Sequence, residues 1–297
     1  MLYRIRSAFT KHSIRNSMLL YFLLLIVGIV LVLSITSFTN SIRETEALSI
    51  QYTSRLLDEV NANIDSYIQN IKSMGTVVVE NRDVKNLMTF LDKKKGVSLS
   101  PDEAEELASL KERASAHMHI VAQTRNDITN IAVISKYHDV VLSDSDKAVN
   151  LYSDYNLSDW YLKPMSYKDD IFVSPSHVQR LIAEDYKWVI SVSKAILNNE
   201  GEVTGVMLID LNYRSIESIC ENVQLGKNGY IFLVDEKDNV IYHPQQQLIY
   251  SGIKSESISH INLVSEGVDT VHLNEESKIY LRNRSPLTEW TAVGVVN

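Results

Sequence analysis

The sequence predicts an α+β protein: one N-terminal transmembrane helix, a long helix beyond it, then two tandem modules built on antiparallel sheets. Three observations carry this reading. An uncharged run, SMLLYFLLLIVGIVLVLSITSF, fills Ser17–Phe38. A stripe of Leu57, Val60, Ile64, Tyr67, Ile71 and Met74 recurs at alternating spacings of three and four. Finally, IAVISKYHDVVL at 131–142 is answered by IFLVDEKDNVIY at 231–242, each an apolar run, a polar turn and a second apolar run.

The first run is long enough for a membrane, since a helix needs about 20 apolar residues to cross the hydrocarbon layer. A cleaved signal peptide has a shorter apolar region, about 7–15 residues, ending at a small-residue site, and no A-x-A pattern follows here. Residues 17–39 therefore read as an uncleaved helix in the plasma membrane. Residues 1–16 carry Arg4, Arg6, Lys11 and Arg15 and no acid, whereas the far flank holds Arg43, Glu44 and Glu46. Basic flanks stay inside, so 1–16 is a cytoplasmic tail and the region after the helix is extracytoplasmic. Removing the tail's +4 from the formal −8 leaves −12 for the rest. Such an acidic surface argues against nucleic acid as a partner. Cys220 stands alone and cannot form an intramolecular disulfide, so the outer region holds together by its core.

Residues 40–80 form the long helix. Its stripe suits packing along the whole length, against either the same helix of a second copy or the body of its own domain. A further helix starts at Ser100, where Pro101 takes the first helical position and Glu103 completes a capping box; DKKKGVS before it is a loop. His117 and His119, two residues apart near its end, lie on different helix faces and make a poor metal pair.

The repeated hairpins pair Ile131–Ser135 with Val140–Leu142 and Tyr230–Val234 with Val240–Tyr242, β-branched and aromatic residues flanking polar turn formers. The repeat runs on. Lys187–Ile196 and Lys278–Leu287 are strand-like, and each precedes another strand, Val203–Ile209 and Trp290–Val296. YRSIESICEN at Tyr213–Asn222 reads as the helix joining the copies. The modules are therefore 81–215 and 216–297, each a sheet with one face covered and the other available as a cup.

This order of parts resembles the double Cache family, the PAS-like extracytoplasmic sensors of bacterial transmembrane receptors. GEVTGVMLIDLNY at Gly201–Tyr213 is similar to the family's G-x-x-x-G-V-x-x-x-D run. LGKNGYIFLVDEKDNVIYHP at Leu225–Pro244 is similar to its run into the second module. ANIDSYIQNI at Ala62–Ile71 resembles sensor histidine kinases of the YesM-like group. The resemblance implies a two-component receptor that works as a homodimer, with a small-molecule ligand in the membrane-distal module and an extracellular solute-binding protein as a further partner. In that family a second membrane helix, a HAMP linker and a kinase follow. The sequence ends at Asn297 without kinase motifs, so it reads as the input half of a receptor.

The resemblance also locates a pocket. Such a site wants aromatic walls and a few aimed polar groups. Tyr155, Trp160 and Tyr161 lie in LYSDYNLSDWYLKP, Trp188 and Ser191 follow on a strand, and Asp210 ends another. Amino-acid-binding members carry R-x-W-Y, whose Arg grips the ligand carboxylate, and a later Asp that takes the amine. Here Trp160-Tyr161 and Asp210 stand, but Ser158 occupies the Arg position. Serine cannot replace a guanidinium fork, which favours a sugar or other neutral polyol. Duller readings stand beside these: Trp160 and Trp188 as core, and Asp210 as the cap of the helix near Asn212 or a buried carboxylate that needs a partner.

No metal or cofactor is expected, since the Asp235–Asn239 turn lacks the D-x-D-x-D-G spacing of a calcium loop. No catalytic residue is expected either: G-x-S-x-G, H-E-x-x-H and Cys–His patterns are missing. The competing classes are the input region of a chemoreceptor or cyclase, and a membrane-anchored structural module whose cup is filled by its own side chains.

Overall fold

Helix α1 runs unbroken over Ile14–Glu80. The structure, a computed structural model, describes residues 14–168, 171–226, 229–252, 267–273 and 276–296. Arg4, Arg6 and Lys11 of the basic tail, and Lys227 and Asn228 of the glycine-bearing run, lie outside them. The chain divides into two units, 1–52 and 53–297. In the first, α1 from Ser17 is long and apolar enough to cross a membrane, and its side chains from Met18 to Phe38 are exposed.

In the second unit α1 packs on its own domain. Its buried stripe is Leu57, Val60, Ile64, Ile68, Ile71, Gly75 and Val78. Tyr67 and Met74, expected in the stripe, are only half-buried, because a straight helix at 3.6 residues per turn drifts off a heptad seam. Gly75 does not end the helix. A Cβ there would stand 2.7 Å from Met207 Cε, so the glycine lets α1 approach the sheet closely.

A helix the sequence reading passed over comes next, α2 at Arg82–Lys93. Asn81 caps it by accepting from the Asp83 and Val84 amides, and Val84, Leu87, Met88 and Leu91 are buried. Helix α3, Pro101–Gln123, begins with the expected capping box.

The first sheet then forms from β1 (Ile128–Ser135), β2 (Val140–Leu142), β3 (Ile171–Val173), β4 (His177–Val178), β5 (Trp188–Leu197) and β6 (Val203–Asn212). Its order is β2-β1-β6-β5-β3, with β4 also on β5. Helix α4 (Asp159–Ser166) lies in the segment between β2 and β3, and α5 (Arg214–Glu221) leads to the second sheet. That sheet comprises β7 (Tyr230–Val234), β8 (Val240–Tyr242), β9 (Gly267–Leu273), β10 (Glu276–Arg284) and β11 (Thr291–Val296), with α6 (Gln246–Tyr250) after β8. Its order is β8-β7-β11-β10-β9. Both sheets are antiparallel, with the hairpin at one edge and the last strand beside it.

The repeat extends to single atoms. Ser135 Oγ accepts from the amides of Tyr137 and Asp139; Asp235 Oδ1 accepts from those of Lys237 and Asn239. Each turn carries one left-handed residue, His138 at φ 72° and Asp238 at φ 61°.

One side chain row of α1 serves both sheets. Asn61 Nδ2 donates to Asn283 Oδ1 at 2.7 Å on β10, while Gly75 meets Met207 on β6. The opposite face of the first sheet is the cup. Ala132, Ile134, Leu142, Val206 and Leu208 line it, and Trp160, Tyr161, Leu181 and Ile182 pack into it.

Candidate ligand-binding site

The cup is not filled completely. Beside its core lies a cavity of about 370 Å³ bounded by Tyr155, Trp160, Ser174–Leu181, Leu208 and Asp210, with Tyr250 at its margin. Register explains the floor. Asn130 on β1 and Ser191 on β5 both pair with Asp210 on β6, and paired positions on neighbouring antiparallel strands share a face. Three polar residues thus form one row across the middle of the sheet.

Asp210 is 1% exposed. Its Oδ1 accepts from Ser191 Oγ at 2.5 Å, and Ser191 Oγ lies 3.4 Å from His177 Nε2. Burial pushes the Asp210 carboxyl above the usual carboxylate range; Ser191 and the nearby His177 pull the other way without cancelling it. Asp210 is not the helix cap, which corrects one expectation: it lies within β6, the N-cap position of α5 falls at Tyr213 without a side-chain capping bond, and the Arg214 amide goes to Asn212 Oδ1 at 3.0 Å. It is the buried carboxylate, with Ser191 as its named partner.

The wall opposite comes from Ser174–Arg180, where the pairing of β4 with β5 is only two residues long. Ser174 Oγ accepts from the Ser191 amide at 2.9 Å, and Ser174 N donates to Ser191 O at 2.8 Å. His177 Nδ1 lies 3.1 Å from Pro175 O. Gln179, buried, accepts from the Ile182 amide at 2.6 Å and so fixes the turn beyond.

The aromatic side is built from the loop before α4. Tyr155 stacks on Trp160 at 6.1 Å with 21° between the rings, and His138, at the left-handed corner of the β1–β2 turn, packs edge-on to Tyr155. Trp160 is 7% exposed, so it is core and cavity wall at once. Tyr161 sits deeper, its hydroxyl donating to Ser135 O. Burial raises both tyrosine hydroxyls, helped by Asp139 at Tyr155.

Of the sequence-derived residues, then, Tyr155, Trp160 and Asp210 border one cavity and Ser191 braces Asp210 from the neighbouring strand. Tyr161 stands in the core beside them. Trp188 is brought elsewhere: it lines a separate cavity of about 690 Å³ with Tyr213 and Gln246 and meets the Tyr250 ring edge-on at 4.8 Å. Sequence reasoning missed His177, Gln179, Arg180 and Tyr250. The first three follow Ser174–Ser176 in a segment too short in its pairing for any periodic signal.

Ser158 is the N-cap residue of α4, makes no side-chain capping bond and borders the cavity. Arg180, exposed, also lines the cavity. Among the described residues no three His, Cys, Asp or Glu side chains converge as a metal site would require.

The sequence profile described as Cache domain matches residues 38–297. No curated protein matches the chain. Among solved structures, the sensory domain of the Campylobacter jejuni chemoreceptor Tlp3 (CcmL) with isoleucine bound is 17% identical, covers 86% of this chain and 95% of its own, and superposes at a TM-score of 0.61. The ligand-binding domain of the Pseudomonas fluorescens chemoreceptor CtaA in complex with L-serine is 16% identical, covers 85% and 98%, and gives 0.60. Likeness at that level of identity shows a shared fold.

Proposed function

The chain belongs to the Cache domain family, and from that membership we propose that it senses a small polar molecule in the first sheet's cavity and signals through a membrane helix. The observation that carries this is Asp210: a buried carboxyl at the floor of an open cavity, held by one serine and facing aromatic rings. A protein seldom leaves so costly a group in place without a use for it. A ligand that brings hydrogen-bond donors, whether the hydroxyls of a sugar or an ammonium, supplies the partners that Ser191 alone does not.

The sugar reading rests on Ser158, which carries no charge for a carboxylate. A second reading has an observation of its own: Arg180 borders the same cavity, and its guanidinium could hold an α-carboxylate while Asp210 holds the amine. The amino acids bound in the Tlp3 and CtaA domains support it. In either case the ligand acts by favouring one arrangement of the sensory region over another, as far as its affinities for the two differ.

The output proposed is a histidine kinase, on the likeness of Ala62–Ile71 to such receptors; chemoreceptor output is the alternative that the comparison structures support. We place the region after the first helix outside the membrane and expect a homodimer, with a solute-binding protein as a further partner. The decisive experiment is a thermal-shift screen of the 297-residue chain in detergent against sugars, amino acids and organic acids. A midpoint raised by one class, and not raised in Asp210→Asn, supports the sensor. If an amino acid gives the shift and Arg180→Ala also removes it, Arg180 holds the ligand carboxylate. No shift from any class returns the cavity to a structural role.

A further inference from the structure

The cavity on the first sheet has a wall from the second. Tyr250, the last residue of α6, borders it together with Ser176, Arg180 and Asp210. Its ring meets Trp188 of β5 edge-on at 4.8 Å, which holds it against the first sheet although its side chain is 63% exposed. Four residues before it, Gln246 Nε2 donates to Ser176 Oγ at 3.2 Å, and Ser176 Oγ donates to Val240 O on β8 at 3.4 Å. Lys237 of the β7–β8 turn lies 3.8 Å from Asp159, which also borders the cavity.

We infer that the ligand site is composite: Tyr250 is a specificity-determining contact contributed by the second module, and Gln246 positions the Ser174–Arg180 wall through Ser176. The inference rests on reading this cavity as the ligand site. Its physical content is linkage. Ser176 is one residue from His177, which touches the Ser191–Asp210 pair, so the wall that faces the ligand is bonded on one side to the cavity floor and on the other to β8 and α6. A ligand that contacts Tyr250 binds less well if the second module moves away, and by reciprocity its binding biases the position of that module. The second copy of the fold thus acts as part of the detector, and the signal has a direct route into it.

The test uses the full chain in detergent micelles, with L-serine, L-isoleucine and D-glucose as probes, titrated calorimetrically. For a probe that binds the native chain, Tyr250→Ala should weaken binding about tenfold, the scale of one lost aromatic contact, and Tyr250→Phe should restore most of it. The loss should also differ between the small and the bulky amino acid, which general loosening would not produce. In Gln246→Ala, with an unchanged melting midpoint, amide hydrogen exchange over 174–180 should rise severalfold while β1 stays protected. Asp210→Asn separates the two ideas. If it abolishes binding while Tyr250→Ala leaves affinity intact, the composite wall is wrong and the sensor reading stands. If no probe binds the native chain, the sensor reading fails for these chemistries. The exchange arm then decides alone, and unchanged rates at 174–180 in Gln246→Ala overturn the coupling.

Discussion

Ser191 Oγ donates to Asp210 Oδ1 across 2.5 Å from the neighbouring strand, and Asp210 is buried. The two residues are direct partners in the β5–β6 ladder, so the contact follows from register. Burial is the largest influence on this acid and raises it, which has a measurable consequence.

Asp210 binds its proton more tightly folded than unfolded. The stability it contributes is therefore whole below about pH 3.8, the unfolded value, and is lost as pH rises through the higher folded value. Asp210→Asn lacks this loss. Its unfolding free energy relative to the native chain should climb between pH 4 and 7, read from urea unfolding at each pH without added metabolites. A flat or falling difference would mean that the carboxyl is not a buried acid.

Two glycines predict opposite outcomes. A Cβ at Gly205 would stand 2.4 Å from Ile134 O and 2.9 Å from Met88 Sδ. A backbone carbonyl cannot step aside, so Gly205→Ala should cost about 1–3 kcal/mol. At Gly75 the near atom is the flexible end of Met207. Gly75→Ala also gains helix propensity, about 1 kcal/mol, so its unfolding free energy should stay within about 0.5 kcal/mol of native.

Trp160 and Tyr155 separate core from wall. Trp160→Ala empties a nearly buried site and should destabilise by about 3–5 kcal/mol, enough to obscure any binding assay. Tyr155→Phe removes only a hydroxyl with a long 3.4 Å bond to His138 O. It should change stability by less than about 1 kcal/mol and is the variant to carry into ligand titrations. A Trp160→Ala chain that melts like native would show that its ring is not core.

Cys220 is buried and free, and burial raises its thiol further from the reactive thiolate, with Glu221 adding to the effect. At pH 8 the folded chain should react with a disulfide reagent at least about 100-fold more slowly than in guanidinium. Comparable rates would place the thiol at the surface.

The sequence by itself determined what depends on neighbours along the chain. The apolar run, the capping box at Ser100, and two hairpins whose turns are closed by Ser135 and Asp235 all follow from local chemistry, as does the tandem plan. Even α2 was legible in Asn81 and the spacing of Val84, Leu87, Met88 and Leu91. Tertiary structure alone decided which of these surfaces meet. Trp160 and Trp188 read alike in sequence, yet one borders the cavity with Asp210 and the other a separate cavity with Tyr213. The wall at Ser174–Arg180 rests on a pairing two residues long, too short to imprint a period. Ser176 and Gln246 are 70 residues apart, and no local pattern encodes a contact made by the stacking of one module on the next.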